Sequence, residues 1–324
     1  MKNDMKTDNE TVAVVFPGQG SQRPGMGKDF YDNLEISRKT YEEASDVLGW
    51  DVAAMCFGED ERLNMTEFAQ PCIVATEIAM FRGIQESYGF TPQYFGGHSL
   101  GEYTGLVAAG VIPFSEALQA VQTRGRMMQE ATPPGTGGMA AVIGDHLDVG
   151  KIRESLADLS VDVANINSEN QIVISGASKG IEAAEKRLTL ALGATDTANR
   201  FRFVPLNVSA PFHSRFMVTI RGAFSEVLTA IAAKLNTVNA NRVTSNYSGA
   251  FHTQNAAKII EELVAQLSSS VKWRDNMKVL AEKADRIYEI GPNRPLKNFF
   301  ASIDVTCRSI TSFSAARRTF AAGE

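Results

Sequence analysis

The chain has 324 residues, of which 44% are hydrophobic and 21% are charged, and its net charge is −5. These values fit a globular chain with one large domain and room for a smaller one, and the acidic balance argues against a dedicated nucleic-acid-binding protein. Three scattered cysteines provide neither a disulfide framework nor a metal-binding Cys-x-x-Cys pair. The polar start, together with the absence of an apolar run of about 18 residues, predicts a cytoplasmic protein with no membrane segment.

The first part of the chain predicts alternating strands and helices. Strand-like VAVVF is followed by helical segments near 29–48 and 70–88, then by the short strand YFGGH and helices near 99–109 and 114–131. This alternation is typical of an α/β domain with a parallel sheet. The cluster TPPGTGG at 132–138 contains residues that break helices and strands, so it predicts a boundary.

Beyond this cluster the predicted elements become shorter. Strand-like MAAVIG, VDVANI, QIVISG and FRFVPLNV alternate with helices near 148–158 and 178–192, in the order β-α-β-β-α-β. That order is the ferredoxin-like split unit. We therefore expect a larger α/β subdomain formed by residues 1–135 and 205–324, interrupted by a ferredoxin-like insert over 136–204.

A glycine-rich loop follows the first predicted strand in VAVVFPGQGSQRPGMGK, residues 12–28. The dinucleotide-binding pattern G-x-G-x-x-G fails because its third glycine position is Arg23. The P-loop pattern fails because Gln22 stands where a glycine is required and Asp29 where serine or threonine is required. The loop therefore predicts a close approach of backbone to a ligand, but neither kind of nucleotide site.

The motif Gly-x-Ser-x-Gly occurs in GGHSLGEYTGLVAAG, with Ser99 at its centre. A predicted strand precedes the serine and a predicted helix follows it, as a nucleophile elbow requires. The positive end of the helix would favour a developing anion beside the hydroxyl. The alternative is a serine that caps a buried helix.

A serine nucleophile needs a base, and the chain has four histidines. His98 is adjacent to Ser99 and points to the opposite face of the strand, so it is better suited to supporting the turn. His146 and His252 lie in polar turns, where we expect them at the surface. His213 follows a predicted strand, at the edge where the loops of a parallel sheet collect, and is the candidate base. A purely structural histidine is the alternative.

The motifs FPGQGSQ, GHSLGE, NSENQIVISG, APFHS and EIGP follow one another along nearly the whole chain. On these motifs the sequence resembles the malonyl-CoA:acyl-carrier-protein transacylases, including the free-standing acyltransferases that serve polyketide synthases. The resemblance implies an α/β-hydrolase-like core with a parallel sheet and an inserted ferredoxin-like subdomain. It also implies transfer of malonyl from malonyl-CoA to the phosphopantetheine thiol of an acyl carrier protein, through a malonyl-Ser99 intermediate.

The resemblance also implies roles for further residues. The backbone N–H groups of Gln19 and Leu100 would form the oxyanion hole, which gives the glycine-rich loop a transient anion to bind. Arg124 would pair with the free carboxylate of malonyl, because a guanidinium meets a carboxylate with two parallel hydrogen bonds. A solvated helix arginine, as expected for Arg126, is the alternative for Arg124. Phe212 would leave little room for an α-methyl branch on the acyl group.

Asn167 and Gln70 occupy positions that border the pocket in this family, although a turn-capping asparagine and a helix-start glutamine explain them nearly as well. Two segments depart from the family pattern. Lys272 stands where many members have a glutamine before the tryptophan, in a segment whose carbonyl would orient the candidate base. Asn293 and Arg294 stand in the loop that usually reads Gly-Pro-Gly and borders the entrance.

The implied partners are malonyl-CoA and an acyl carrier protein, with no nucleic acid and no membrane, and we expect a monomer because the family is mostly monomeric. No metal or redox cofactor is implied. The segments VDVANINSENQIVISG and VSAPFHSRFM resemble the free-standing polyketide acyltransferases more closely than the housekeeping enzyme of fatty-acid synthesis. The alternative functions are an acyl hydrolase that removes stalled acyl groups from carrier proteins and a non-catalytic docking module.

Overall fold

The computed structural model describes residues 10–193, 201–208 and 210–321. Within these ranges the strands are β1 (Val12–Phe16), β2 (Tyr94–Gly97), β3 (Gly137–Ile143), β4 (Val161–Ser168), β5 (Gln171–Ala177), β6 (Arg202–Leu206), β7 (Arg286–Ile290) and β8 (Cys307–Ile310). The helices are α1 (Lys28–Asn33), α2 (Glu35–Leu48), α3 (Val52–Phe57), α4 (Thr66–Tyr88), α5 (Gly101–Ala108), α6 (Phe114–Glu130), α7 (Val149–Ser155), α8 (Ser178–Gly193), α9 (Arg221–Ala230), α10 (Ala256–Gln266), α11 (Trp273–Ala281), α12 (Pro295–Ala301) and α13 (Phe313–Phe320). Short 3₁₀ turns lie at Glu61–Asn64, Arg215–Ile220, Ala232–Lys234 and Thr237–Arg242.

A parallel sheet with the strand order β2-β1-β7-β8 forms the centre of the larger subdomain. Strand β1 is a continuous apolar run because both of its faces are covered, as is usual in parallel sheets. Its alternate residues enter two different apolar clusters, with Val14 and Phe16 on one face and Ala13 and Val15 on the other. Helix α4, buried along most of its length, packs against α2 and α6.

An antiparallel sheet with the strand order β4-β5-β3-β6 forms the smaller part of the molecule. Helices α7 and α8 pack on it. Together they enclose an apolar cluster separate from those of the parallel sheet, which includes Ala140, Val142, Ile172, Ile174 and Leu188. The chain order β3-α7-β4-β5-α8-β6 is the β-α-β-β-α-β succession predicted for this segment.

Main-chain hydrogen bonds join the two parts beside the cleft between them. Ile166 in β4 donates its N–H to the carbonyl of Val271 at 2.9 Å, and Val271 donates to the carbonyl of Ala164 at 2.8 Å. Because β4 is an edge strand of its sheet, this short pairing covers part of an otherwise free edge.

The observed elements differ from the predicted ones in several places, since the helix predicted near 29–48 is two helices, α1 and α2, and α3 was not predicted. The helix predicted near 70–88 begins at Thr66, so Pro71 lies inside α4 although proline normally disfavours such a position. Burial of the first turns of α4 outweighs the missing hydrogen bond. Strand β8 has only four residues and no alternating pattern, and its pairing with β7 is what defines it. Of the helices above, none is long and apolar enough to cross a membrane.

Candidate active site

The sharp turn between β2 and α5 carries Ser99. Its φ is 52°, in the left-handed region, as expected of a nucleophile elbow. The turn is tight, because a Cβ atom at Gly101 would lie 2.2 Å from the carbonyl oxygen of Phe16. The N–H of Ser99 donates to Oδ1 of Asn246 at 2.6 Å, and no side-chain hydrogen bond caps α5. The Ser99 hydroxyl is therefore free of the capping role that was its alternative.

His213 lies within hydrogen-bond distance of this hydroxyl. Its Nε2 is 2.7 Å from Ser99 Oγ, and its Nδ1 is 2.8 Å from the main-chain oxygen of Gln266. A carbonyl can only accept, so Nδ1 carries the proton and Nε2 presents its lone pair to Ser99. Burial, and next the positive charge of Arg124, lower the pKa of His213 to about 3, so the ring is neutral at pH 7.

The carbonyl that orients His213 belongs to the last residue of α10, Gln266. This carbonyl was predicted in the segment around Lys272, and that prediction is wrong. Lys272 instead donates its N–H to the carbonyl of Asn246 and places its ammonium 5.7 Å from the ring centre of Tyr247. The departure from the family pattern at Lys272 therefore leaves the orientation of His213 untouched.

Arg124 projects from α6 to the same point and is 1% exposed. Its Nη2 donates to Ser99 Oγ at 3.1 Å and to Gln266 Oε1 at 2.9 Å, and its Nη1 donates to Gln70 Oε1 at 2.9 Å. Its Nε–H is buried without a partner, and no salt bridge joins the guanidinium to a carboxylate in the described ranges. Burial lowers the pKa of Arg124. A buried cation with neutral partners is expensive unless an anion joins it.

The glycine-rich loop packs directly on the elbow. A Cβ atom at Gly18 would lie 2.4 Å from the carbonyl oxygen of His98, so only glycine allows this approach. The backbone N–H groups of Gln19 and Leu100 have no hydrogen-bond partner among residues 10–193, 201–208 and 210–321. The side chain of Gln19 donates to Thr66 Oγ1 at 3.2 Å, which ties the loop to the start of α4.

Residues 13–293 match the acyl transferase domain family. The chain belongs to this family. It is 38% identical over 304 residues to the malonyl CoA-acyl carrier protein transacylase of Bacillus subtilis, with 92% of each chain covered. It is similar to the crystal structure of the malonyl CoA-acyl carrier protein transacylase of Clostridium perfringens, with a TM-score of 0.88, 32% identity and 96% of each chain covered.

A malonyl-transacylase solved in complex with a type II PKS acyl-carrier protein is also similar, with a TM-score of 0.88 and 34% identity. In that comparison 97% of this chain and 100% of the other are covered. These likenesses confirm the predicted acyltransferase family and a mixed α/β fold with one parallel and one antiparallel sheet.

A cavity of about 740 Å³ opens above Ser99 in this acyl transferase. Gln70, Asn167 and Phe212 line it, and so do Gln19, Ser99, Arg124 and His213. Gln70 lies inside α4, not at a helix start, and Asn167 lies in β4, where its Oδ1 is 2.8 Å from Nε2 of His98. Asn167 therefore does not cap a turn and Gln70 does not begin a helix, which were their alternatives. Asn293 also lines the cavity.

One histidine of the acyl transferase lies where it was not expected. His252 was predicted at the surface but is 2% exposed, because its ring is enclosed between the carboxylates of Glu102 and Glu262. His146, also predicted at the surface, is exposed. The polar character of the turn around His252 did not indicate burial, since the partners that bury it come from distant helices.

Two residues that organise the site, Gln266 and Asn246, were not predicted. Gln266 contacts His213 through its main chain and Arg124 through its side chain, and Asn246 accepts the N–H of Ser99. Glu102 could have indicated such residues. It is a carboxylate in the largely apolar helix after the elbow, and a buried carboxylate needs hydrogen-bond partners. In the described part of the chain, no group of three or more His, Cys, Asp or Glu side chains is placed to hold a metal ion.

Proposed function

We propose that this protein transfers a malonyl group from malonyl-CoA to the phosphopantetheine thiol of an acyl carrier protein. The observation that carries the proposal is the buried guanidinium of Arg124, 3.1 Å from the Ser99 hydroxyl and without a carboxylate partner in the described ranges. A free carboxylate on the acyl group would supply the missing anion in bidentate geometry. The names of the relatives in Bacillus subtilis and Clostridium perfringens support the same substrate.

In the first half of the proposed reaction, His213 Nε2 accepts the Ser99 proton while Oγ attacks the thioester carbonyl of malonyl-CoA. The resulting oxyanion lies against the N–H groups of Gln19 and Leu100, each of which contributes about 2.7–4 kcal/mol if it behaves like other oxyanion donors. The C–S bond then breaks, and the CoA sulfur leaves with the proton held by His213. Malonyl-Ser99 remains.

In the second half the carrier-protein thiol gives its proton to His213 and attacks malonyl-Ser99. A second oxyanion forms at the same donors, the C–O bond breaks, and the Ser99 oxygen recovers the proton. The main-chain oxygen of Gln266 stabilises the imidazolium in both halves, because it accepts from Nδ1. General-base assistance of this kind contributes about 10²- to 10⁴-fold.

The charge of Arg124 also connects substrate binding to activation of the nucleophile. In the ligand-free site its positive charge is one cause of the low pKa of His213. A malonyl carboxylate paired with Arg124 would offset that charge and raise the pKa of His213 toward its ordinary value, where a base is more effective. A neutral acyl group would bring no such change, which favours malonyl beyond its direct contacts.

The remaining expectations complete the proposal. The larger subdomain would be α/β-hydrolase-like over residues 1–135 and 205–324 and the insert ferredoxin-like over 136–204, with 194–200 outside the described residues. The protein would act as a cytoplasmic monomer without metal or redox cofactor, on a carrier protein of polyketide or fatty-acid synthesis. Phe212, Asn167 and Gln70 would border the acyl group.

An acyl hydrolase on the same scaffold is the competing function. It would use Ser99 and His213 but would need no carboxylate partner, so the placement of Arg124 argues against it. A docking module without catalysis would need neither the Ser99–His213 contact nor the unpartnered backbone donors. Labelling of Ser99 by a fluorophosphonate separates that possibility from both enzymes.

The deciding experiment is intact-protein mass spectrometry after incubation with malonyl-CoA, followed by addition of a phosphopantetheinylated carrier protein. We expect a malonyl adduct on the wild type, none on Ser99→Ala, and transfer of the adduct to the carrier faster than its loss to water. An adduct that is hydrolysed at the same rate with or without the carrier protein would identify a hydrolase.

A further inference from the structure

A buried ionic cluster lies beneath the elbow, outside the residues that would touch substrate. Glu102 in α5, His252, and Glu262 in α10 are 0%, 2% and 5% exposed. His252 Nε2 is 2.8 Å from Glu102 Oε1, and His252 Nδ1 is 3.0 Å from Glu262 Oε2. The Nε2 contact has hydrogen-bond geometry, whereas the Nδ1 contact with Glu262 meets only the distance of an ion pair. Two carboxylates so close to one buried ring favour its charged imidazolium form.

Glu102 connects this cluster to the active site through its second oxygen. Glu102 Oε2 accepts from Nε2 of Gln266 at 2.6 Å and from the N–H of Asn246 at 3.0 Å. The same Nε2 of Gln266 donates to the carbonyl of Ser99 at 3.1 Å, and Oε1 of Gln266 accepts from Arg124 at 2.9 Å. Glu102, which makes the shorter of these two contacts, therefore acts with the Ser99 carbonyl to determine which end of the Gln266 amide faces the guanidinium.

The orientation of this amide matters because its two ends are nearly equal in shape but opposite in polarity. If Glu102 turned away, the Gln266 amide could flip and present its NH₂ to Arg124. Two donors would then face each other in a buried site, and the guanidinium would move off the acyl carboxylate. Keeping Glu102 in place is thus a condition for keeping Arg124 in place.

We propose that His252 is a positioning residue for acyl selection: clamped between Glu102 and Glu262, it holds Glu102 against Gln266 and so fixes the guanidinium of Arg124 beside Ser99. This inference rests on the proposed malonyl transfer. His252 touches neither substrate nor the reacting atoms, and it acts through Glu102 and Gln266.

The charges around the cluster agree with this role. Burial by itself would lower the pKa of His252, but the hydrogen bonds and charges of Glu102 and Glu262 outweigh it and raise the pKa to about 9. The groups that face the ring are these two carboxylates, from α5 and α10. Burial by itself would raise the pKa of Glu262, but the contact with His252, with smaller contributions from Ser245 and from Lys258 one turn earlier in α10, lowers it. At neutral pH the His252 ring is therefore charged.

Two substitutions of similar size separate the two contacts of the ring. Glutamine places its amide nitrogen near the position of Nε2, and asparagine near that of Nδ1, so His252→Gln keeps a donor to Glu102 whereas His252→Asn keeps one to Glu262. His146→Asn, at an exposed histidine of the small subdomain, controls for the change of residue type. Each protein is assayed for its rate of malonyl loading from malonyl-CoA and its rate of Ser99 labelling by a neutral fluorophosphonate.

The ratio of the two rates is the readout, because both rates count only folded protein and only malonyl loading needs Arg124 as the partner of a carboxylate. We expect His252→Asn to lower the ratio by about 10- to 100-fold, the range that small misplacements of an active-site group produce. His252→Gln should keep most of the ratio, and His146→Asn all of it. Equal ratios in the two His252 variants, or a loss confined to His252→Gln, would overturn the proposal.

If a variant does not fold, the role of His252 can still be tested in the wild-type protein. With ¹⁵N-labelled histidine, the titration of the His252 ring can be followed near pH 9 while the loading-to-labelling ratio is measured in parallel. The ratio should fall with the midpoint of His252, and a ratio that holds while His252 loses its proton would refute the role. Failure of the wild type to load malonyl at all would instead refute the proposed function.

Discussion

Replacing Arg124 by alanine should abolish selection of the malonyl group while sparing transfer of an uncharged acyl group. The guanidinium is buried, and its partners in the structure are neutral: the amides of Gln70 and Gln266 and the hydroxyl of Ser99. A malonyl carboxylate would be the anion of this site, whereas an acetyl group has nothing to pair with Arg124.

The magnitude follows from removing one member of a buried, hydrogen-bonded charge pair, which costs about 2–5 kcal/mol. At 1.4 kcal/mol per factor of ten, kcat/KM for malonyl transfer should fall by about 30- to 4,000-fold. The kcat/KM for acetyl transfer should stay the same or rise. The substitution removes a positive charge that lowers the pKa of His213, so His213 becomes a stronger base. The variant also leaves Gln70 and Gln266 without their donor, so a lower Tm is expected for reasons unrelated to catalysis.

The assay compares malonyl-CoA and acetyl-CoA as donors to one carrier protein, with the same enzyme sample, so that any loss of folded protein cancels. Arg126→Ala is the matched control, because Arg126 lies two residues further along α6 and is exposed. It should leave both rates unchanged. Equal losses for malonyl and acetyl in Arg124→Ala would refute the role of Arg124 as the carboxylate partner.

Three further outcomes follow from the site. Phe212→Ala should raise methylmalonyl loading relative to malonyl by an amount equivalent to about 1–3 kcal/mol, the value of one methyl group in a pocket, and an unchanged ratio in the mass assay would exclude Phe212 from acyl selection. Because the pKa of His213 lies at about 3 in the free enzyme, kcat/KM for malonyl-CoA should show no acidic limb near pH 6.5, and a limb centred there would contradict the neutral, buried base. The pKa of His252 is raised from 6.5 to about 9, so the stability that this residue contributes should be fully present below pH 6.5 and lost as pH rises through 9. Denaturant unfolding of the wild type and His252→Gln should therefore converge between these pH values, and a constant difference would show that His252 does not titrate there.

The motifs predicted the parts of the site whose chemistry lies in a side chain beside a recognisable turn. The motif Gly-x-Ser-x-Gly correctly placed Ser99 between a strand and a helix. The glycine-rich loop matched neither nucleotide-binding pattern, and in the structure it packs on the elbow. His213 was chosen because it follows a strand at the edge of a parallel sheet, but the strand before it is β6 of the antiparallel sheet, so that part of the reasoning was wrong. The family resemblance was needed to distinguish Arg124 from Arg126, since spacing on the helix did not.

Buried polar partners were harder to predict, because their burial depends on segments far apart in the chain. His252 looked like a surface residue since its local sequence is polar. Its burial depends on Glu102, 150 residues earlier, and on Glu262, which lies nearby in sequence but on the following helix α10. The carbonyl that orients His213 was sought in the wrong segment for a related reason. A main-chain acceptor can belong to any residue type, so the sequence carries no mark of it.

Gln266 shows why the base, the nucleophile and the guanidinium keep one geometry although they come from distant positions in the sequence. Its main-chain oxygen holds His213, its side-chain oxygen holds Arg124, and its side-chain nitrogen holds the carbonyl of Ser99. The residue ends α10, so a shift of that helix end would move all three contacts together. Malonyl selection and serine activation are therefore coupled through one glutamine, and variants along α10 should change both in proportion when they displace its end.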